Sequence, residues 1–296
     1  MALEAFRKYL ALERKYAAHT VQAYLRDLQA FAVYCEENHP GESLVAMPYS
    51  VIRSWIIHLM ESGLANRTIN RKVASLKAYY KYMVRQGALP SNPLTGHRPL
   101  RVDKKVELPF SEAEMRTLLS QWPDPDHFEG LRDKLVVELL YATGMRRAEL
   151  IGLQLKDLDL QQGTLRVLGK RNKERIIPLL AGLKPQLGRY LALREAEFPD
   201  PEAPYIFLTV HGNKMYPNLV YRIINKYLGL VSAKVKKSPH MLRHTFATHM
   251  LNKGADMNAV KELLGHASLA STQVYTHNSI ATLKKVHGSA HPRNKN

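Results

Sequence analysis

Thirteen residues, "SPHMLRHTFATHM" from Ser238 to Met250, hold three histidines and one arginine and no carboxylate. Histidines at helical spacing are most often ordinary, partly buried side chains. A metal reading rests on His240 and His244, which stand four apart. A zinc-protease helix carries Glu directly after its first histidine, as general base. Met241 fills that place, so metal is set aside. The third reading is an anion site, in which guanidinium and imidazole groups meet a negative charge that the protein does not supply. His240 and Arg243 lie three apart, about 4.5 Å along a helix axis, and share a face.

Those side chains need elements to hold them. "ADMNAVKELLGH" reads as a short helix capped by Asp256, with Met257, Val260 and Leu264 as its buried face and Gly265 as its end. His266 then stands at a helix terminus, and "SLASTQVYTHN" presents Tyr275 beyond it. "TLRVLGKRNKERIIPL" has two β-prone runs, Thr164 to Leu168 and Arg175 to Leu179, around a basic turn with Lys170, Arg171 and Lys173. It reads as a hairpin. Its "GK" does not make a phosphate loop. That motif needs four residues between its glycines and Ser or Thr after the lysine, whereas five separate Gly163 from Gly169 and Arg171 follows Lys170.

The first hundred residues read as helices. Thr20 is the expected cap of "TVQAYLRDLQAF". "NRTINRKVASLKAYYKYMVRQG" carries an apolar stripe of Ile69, Val73, Leu76, Tyr80 and Met83. Arg67, Arg71, Lys81 and Arg85 fall on the opposite face, and no acid lies between Asn66 and Arg85. A solvated face usually mixes signs, so this one reads as a phosphate-binding face rather than a merely hydrated one. Gly87 closes the helix, and prolines 90, 93, 99 and 109 mark an extended linker. Ser111 with Glu114 forms a capping box that opens the next helix.

Composition agrees with a polyanionic partner. The chain has 296 residues, room for two domains, with 43 Lys+Arg against 26 Asp+Glu and a net charge of +17. Cys35 is the only cysteine, which excludes an internal disulfide and fits a reducing compartment. The start is charged and amphipathic, with no secretory pattern, and no apolar run approaches a membrane span. A cytoplasmic protein without membrane contact is expected.

The motifs "YATGMRRAELIGL", "LGKRNKERIIPL", "SPHMLRHTFATHMLNKGAD" and "ELLGHASLASTQVYTH" stand in the order found in the tyrosine recombinases, and nearly the whole chain resembles that family. Length, linker and the "AHPR" tail resemble its Xer branch. The resemblance implies a mainly α protein of two domains. Residues 1–95 would form a helical, SAM-like core-binding domain, 96–109 a linker, and 110–296 a mixed α/β catalytic domain with a small β-sheet. It implies catalytic roles for Arg146, Lys170, His240, Arg243, His266 and Tyr275, with Glu149 as an acidic support. Arg147 stands where the family usually has an apolar residue, and the spacing leaves either Arg146 or Arg147 to face the phosphate. Arg171 replaces a common glycine in the hairpin turn. His244 and His249 match the helix but not the catalytic set and read as structural. The implied partner is double-stranded DNA, cut and rejoined within a homo- or heterotetramer that includes a second recombinase, with a DNA translocase as a further partner and resolution of chromosome dimers as the task. Neither a metal nor a cofactor is implied. An integrase of a mobile element, a type IB topoisomerase and an idle DNA-binding protein of the same fold are the rivals. After Tyr275, the stripe of Ile280, Leu283 and Val286 is expected to dock on a neighbouring subunit, with its own domain as the alternative surface.

The chemistry answers the opening puzzle. A phosphodiester under attack gains a second negative charge, which fixed cationic donors stabilise and a nearby carboxylate would quench. Tyr275 has a phenol of pKa about 10 and needs help to lose its proton. His240 is read as that base, His266 as a donor to phosphate, and Lys170 as the acid that protonates the leaving 5′-oxygen. The 3′-phosphotyrosine product keeps the ester energy, so rejoining needs no ATP. One prediction follows from the acid role. General-acid help is worth about 10²–10⁴ in rate, so Lys170→Ala should lose that much cleavage on ordinary DNA. A thiolate, whose thiol ionises near pKa about 8.5, leaves without a proton. Cleavage of a substrate with sulfur at the bridging 5′ position should therefore be largely restored, and an equal defect on both substrates would remove Lys170 from the catalytic set.

Overall fold

The structure is a computed structural model. It describes residues 2–103, 108–122, 127–169, 174–199, 204–234, 236–265 and 277–295, with the side chains of 277–282, 294 and 295 left aside. Lys170, Arg171, His266 and Tyr275 lie outside the described residues. Contacts divide the chain into two units, Met1–Lys105 and Val106–Asn296.

The first unit is helical: α1 (Ala2–Lys8), α2 (Ala18–Asn38), α3 (Tyr49–Glu61) and α4 (Asn66–Arg85), with a π-helical turn after α1. The stripe on α4 is buried as its spacing requires, and Phe31 of α2 packs on Trp55 of α3 with ring centroids 4.9 Å apart. Helix α2 begins two residues before Thr20. Its cap is Ala17 in an extended conformation, which makes no side-chain cap bond, and the Tyr16 ring rests on Tyr24 across that start. The opposite face of α4 exposes Arg67, Arg71, Lys81 and Arg85. Acids do reach it, from other helices. Buried Asp27 of α2 pairs with Arg71 and Lys72 and accepts from Ser75 Oγ at 2.8 Å. Glu13 pairs with Arg85 at 3.2 Å. The first part of the expected linker is strapped onto this unit. Asn70 exchanges two hydrogen bonds with the Leu100 backbone at 2.8 and 2.9 Å, and Asn66 donates to the Arg101 carbonyl.

The second unit holds α5 (Glu112–Ser120), α6 (Phe128–Thr143), α7 (Arg147–Gly152), α8 (Leu183–Glu197), α9 (Pro217–Val231), α10 (Pro239–Asn252), α11 (Met257–Leu264) and α12 (His277–Ala290). Between α7 and α8 lies an antiparallel sheet of β1 (Leu158–Asp159), β2 (Thr164–Leu168) and β3 (Glu174–Pro178), in that order. The expected capping box of Ser111 and Glu114 opens α5. Helix α6 is buried nearly all round and is the spine against which α8 and α10 pack. It ends at Gly144 with φ +60°, where any Cβ would run into Phe246 and Leu264. Asp256 caps α11 as expected. Its buried residues are Val260, Leu263 and Leu264, whereas Met257 is 56% exposed because it sits at the edge of that arc in the first turn.

In this structure α12 packs on its own unit, burying Leu283, His287 and Ala290, with His291 just beyond. His287 Nε2 lies 2.7 Å from the Ala142 carbonyl. His291 Nε2 faces the Tyr141 carbonyl at 3.3 Å while its Nδ1 accepts from the Arg293 N–H at 3.1 Å. That arrangement fixes His291 as neutral, since a second ring proton would meet a donor. Burial lowers the pKa of both rings, His291 to about 3, where the charge of His287 adds to the effect. The unfolded chain binds more protons than the folded one below about pH 6.5, so this stability is full above that pH and lost progressively below it. Amide exchange across residues 283–291, corrected for intrinsic rates, should therefore rise between pH 7 and pH 5. The double variant His287→Gln/His291→Gln should show a flat profile.

Candidate active site

Helix α7 starts at a residue that does two jobs. Arg146 occupies the N-cap position, and its backbone N–H donates to Glu149 Oε2 at 2.7 Å. Its side chain returns to the same carboxylate, with Nη1 on Oε1 at 2.8 Å. Glu149 is 8% exposed and meets a second guanidinium. Arg175 donates Nη1 to Oε1 at 3.1 Å and Nη2 to Oε2 at 2.7 Å. Four donors thus fill the acceptor sites of one carboxylate. Burial would raise its pKa, but the bonds and charge of Arg175, joined by Arg146, outweigh it and hold Glu149 below the usual range.

The third guanidinium is Arg243 of α10. It donates to the Gly144 carbonyl at 2.6 Å and to the Leu264 carbonyl at 2.7 Å. Burial and the charges of Arg146 and Arg175 lower its pKa to about 10, against the opposing pull of Glu149, so it stays charged at neutral pH. The last three carbonyls at the end of α11 each take one arginine. Leu263 accepts from Arg175 Nε at 2.8 Å, Leu264 from Arg243, and Gly265 from Arg146 Nη2 at 3.5 Å. Such carbonyls have no partner inside their own helix and carry the negative end of its dipole.

Three guanidiniums and one carboxylate leave an excess of positive charge. The Arg146 side chain is 41% exposed, and His240, one turn before Arg243, is exposed near the start of α10. The site is rich in fixed donors, open on one side, and suited to a phosphate oxygen. The two neighbouring arginines are placed differently. Arg146 joins Arg243, whereas Arg147 reaches the Pro217 carbonyl at 3.3 Å. Exposed His244 is absent from this network, and buried His249 meets the Tyr141 hydroxyl at 2.9 Å. Arg175 was not among the expected site residues. Its signal in the sequence is period two: it shares the inner face of β3 with Ile177, where a charged residue needs a buried partner.

The phage integrase family matches residues 110–281, and the N-terminal SAM-like domain of phage integrases matches residues 3–87. The chain belongs to the phage integrase family, and is a tyrosine-type site-specific DNA recombinase. Its relatives include the tyrosine recombinase XerC of Chlorobaculum parvum, 38% identical over 98% of this chain and 94% of that protein. XerC of Syntrophus aciditrophicus is 35% identical over 98% and 97%. The fold is similar to that of the Tn1549 transposon integrase in complex with circular intermediate DNA, with a TM-score of 0.69, 22% identity and coverage of 95% and 98%. It is also similar to the XerH recombinase bound to palindromic difH substrate, with a TM-score of 0.69, 22% identity and coverage of 96% and 82%.

Breaking a buried ion pair by removing one partner costs about 3–5 kcal/mol. Glu149→Gln, which strands Arg175, should lower stability by about 3 kcal/mol, read from denaturant unfolding followed by Trp122 in a Trp55→Phe background. Glu129→Gln is the control. That carboxylate is 53% exposed beside Arg132, and its loss should cost less than about 1 kcal/mol.

Proposed function

We propose that this recombinase works as Xer proteins do, as a tetramer with a second recombinase on two cytoplasmic DNA sites, resolving chromosome dimers. The identity to XerC proteins across nearly the whole chain supports the assignment of the task. The observation that carries the chemistry is the pairing of Arg146 and Arg243 around an open, positively charged site, with His240 one turn away.

Arg146 and Arg243 hold the non-bridging oxygens of the scissile phosphate. His240 draws the proton from Tyr275, whose oxygen attacks phosphorus. The P–O5′ bond breaks as the Tyr–O–P bond forms, and Lys170 gives its proton to the leaving 5′-oxygen. His266 donates a hydrogen bond to a non-bridging oxygen of the pentavalent phosphorane. Attack by the 5′-hydroxyl of the other duplex reverses these steps, returning the tyrosine. On the first unit, Arg67 and Lys81 contact DNA phosphates. Arg71 and Arg85 contact them while sharing their charge with Asp27 and Glu13.

Tyr275→Phe removes one hydroxyl, so DNA affinity should hold while covalent complexes on a nicked suicide substrate vanish. Adducts persisting in this variant would assign the nucleophile elsewhere. For the task, genomic fragments held covalently by the wild-type protein should sequence to one chromosomal locus. Fragments drawn from the ends of a mobile element would mark it as an integrase instead.

A further inference from the structure

We propose that Arg175 is a positioning residue for strand cleavage. It grips both oxygens of Glu149 and so limits that carboxylate's hold on Arg146 to one side-chain bond. The inference rests on Arg146 holding the scissile phosphate.

Arg175 occupies an inward position on β3, paired in register with Val167 of β2 and sharing a face with Ile177. It is 4% exposed. Replacing a buried ion pair by apolar residues of similar volume is often neutral or stabilising, so stability alone does not account for an arginine here. Its geometry does. Glu149 offers four acceptor positions. Arg175 fills two, with bonds of 3.1 and 2.7 Å, and Arg146 fills the others with Nη1 and its backbone N–H. A guanidinium and a carboxylate match as two parallel forks. Without Arg175, the Arg146 fork is the remaining partner that can close on Glu149 with a second side-chain bond. It would then turn away from the open side of the site and give its charge to the carboxylate.

The same residue fixes a second edge of the site. Its Nε donates to the Leu263 carbonyl at 2.8 Å. Gly265, with φ +65°, passes so close that a Cβ there would sit 3.0 Å from Arg175 Nη1. One guanidinium thus sets the carboxylate that holds Arg146 and the end of the helix that receives Arg243.

The test uses single-turnover cleavage by the full chain on two suicide substrates. One carries the normal scissile phosphate. The other carries a methylphosphonate, in which a methyl group replaces one non-bridging oxygen and relieves the need for positive charge. Misplacing a catalytic group by about 1 Å costs on the order of 100-fold. Arg175→Met should show about that loss on phosphate, with DNA affinity unchanged, and most of the loss should disappear on methylphosphonate. Arg146→Ala should follow the same pattern, and the double variant should be no slower than Arg146→Ala alone. Arg175→Lys keeps the charge but not the fork and should remain slow on phosphate. It is read in the same way if the Met variant does not fold. Equal loss on both substrates, additive effects in the double variant, or full activity of Arg175→Lys would overturn the proposal. Full activity of Arg146→Ala would instead remove the reading of Arg146 on which it rests.

Discussion

A single buried carboxylate organises the catalytic unit. Glu149 caps the helix it belongs to, holds the side chain of Arg146, and neutralises an arginine planted in the core face of a strand. The first two demands could be met by a surface residue, whereas the third needs a buried one. Together they require burial, because only a carboxylate shielded from water keeps both oxygens committed in fixed directions. Burial penalises its charge, and the donors that surround it repay the penalty. Any shift of α7, of β3 or of the end of α11 would leave one of those donors stranded. The site is therefore held in register by the expense of taking it apart.

An anion site has an inherent difficulty. Its cations must be held still, yet the most effective holder, a carboxylate, cancels the charge that the site needs. The fold answers by holding its arginines largely with carbonyl dipoles. Arg243 donates to Gly144 and Leu264, both main-chain carbonyls at helix ends. Such acceptors fix a guanidinium without neutralising it. This explains why α10 carries His240 and Arg243 with no acid in the same stretch, and why glycines sit at both helix ends. Gly144 and Gly265 have φ of +60° and +65°, the left-handed turn that exposes terminal carbonyls to a partner.

Much of this was legible in the sequence. The α4 stripe, the capping box at Ser111 and the Asp256 cap depend on short-range spacing, which the chain states directly. The strands around Lys170 follow from β-branched runs flanking a polar turn. Features that depend on a second element were hidden. Thr20 looks like a cap, but the N-cap of α2 is Ala17, with Tyr16 packed on Tyr24 across the start of the helix. Met257 has the spacing of a core residue, but it sits at the edge of the buried arc of α11 and is exposed. The acid-free face of α4 is acid-free only along its own helix, because Asp27 arrives from α2. Arg175 belongs to the same class, since its partner Glu149 lies 26 residues away.

Both units use one device. In the first, buried Asp27 gathers Arg71, Lys72 and Ser75, as Glu149 gathers Arg146 and Arg175 in the second. In each case one carboxylate meets two cations, so the cluster is anchored and still positive. A protein with 43 basic and 26 acidic residues could spread its excess over the surface as freely moving lysines. Flexible charges attract a polyanion but do not place it, because each must be ordered again on binding, at an entropy cost of up to about 2 kcal/mol for a long side chain. Anchoring by a buried acid settles that ordering during folding. On the proposed function the acids contribute to anion recognition by fixing where the remaining positive charge points, whereas a count of net charge alone would assign them the opposite role.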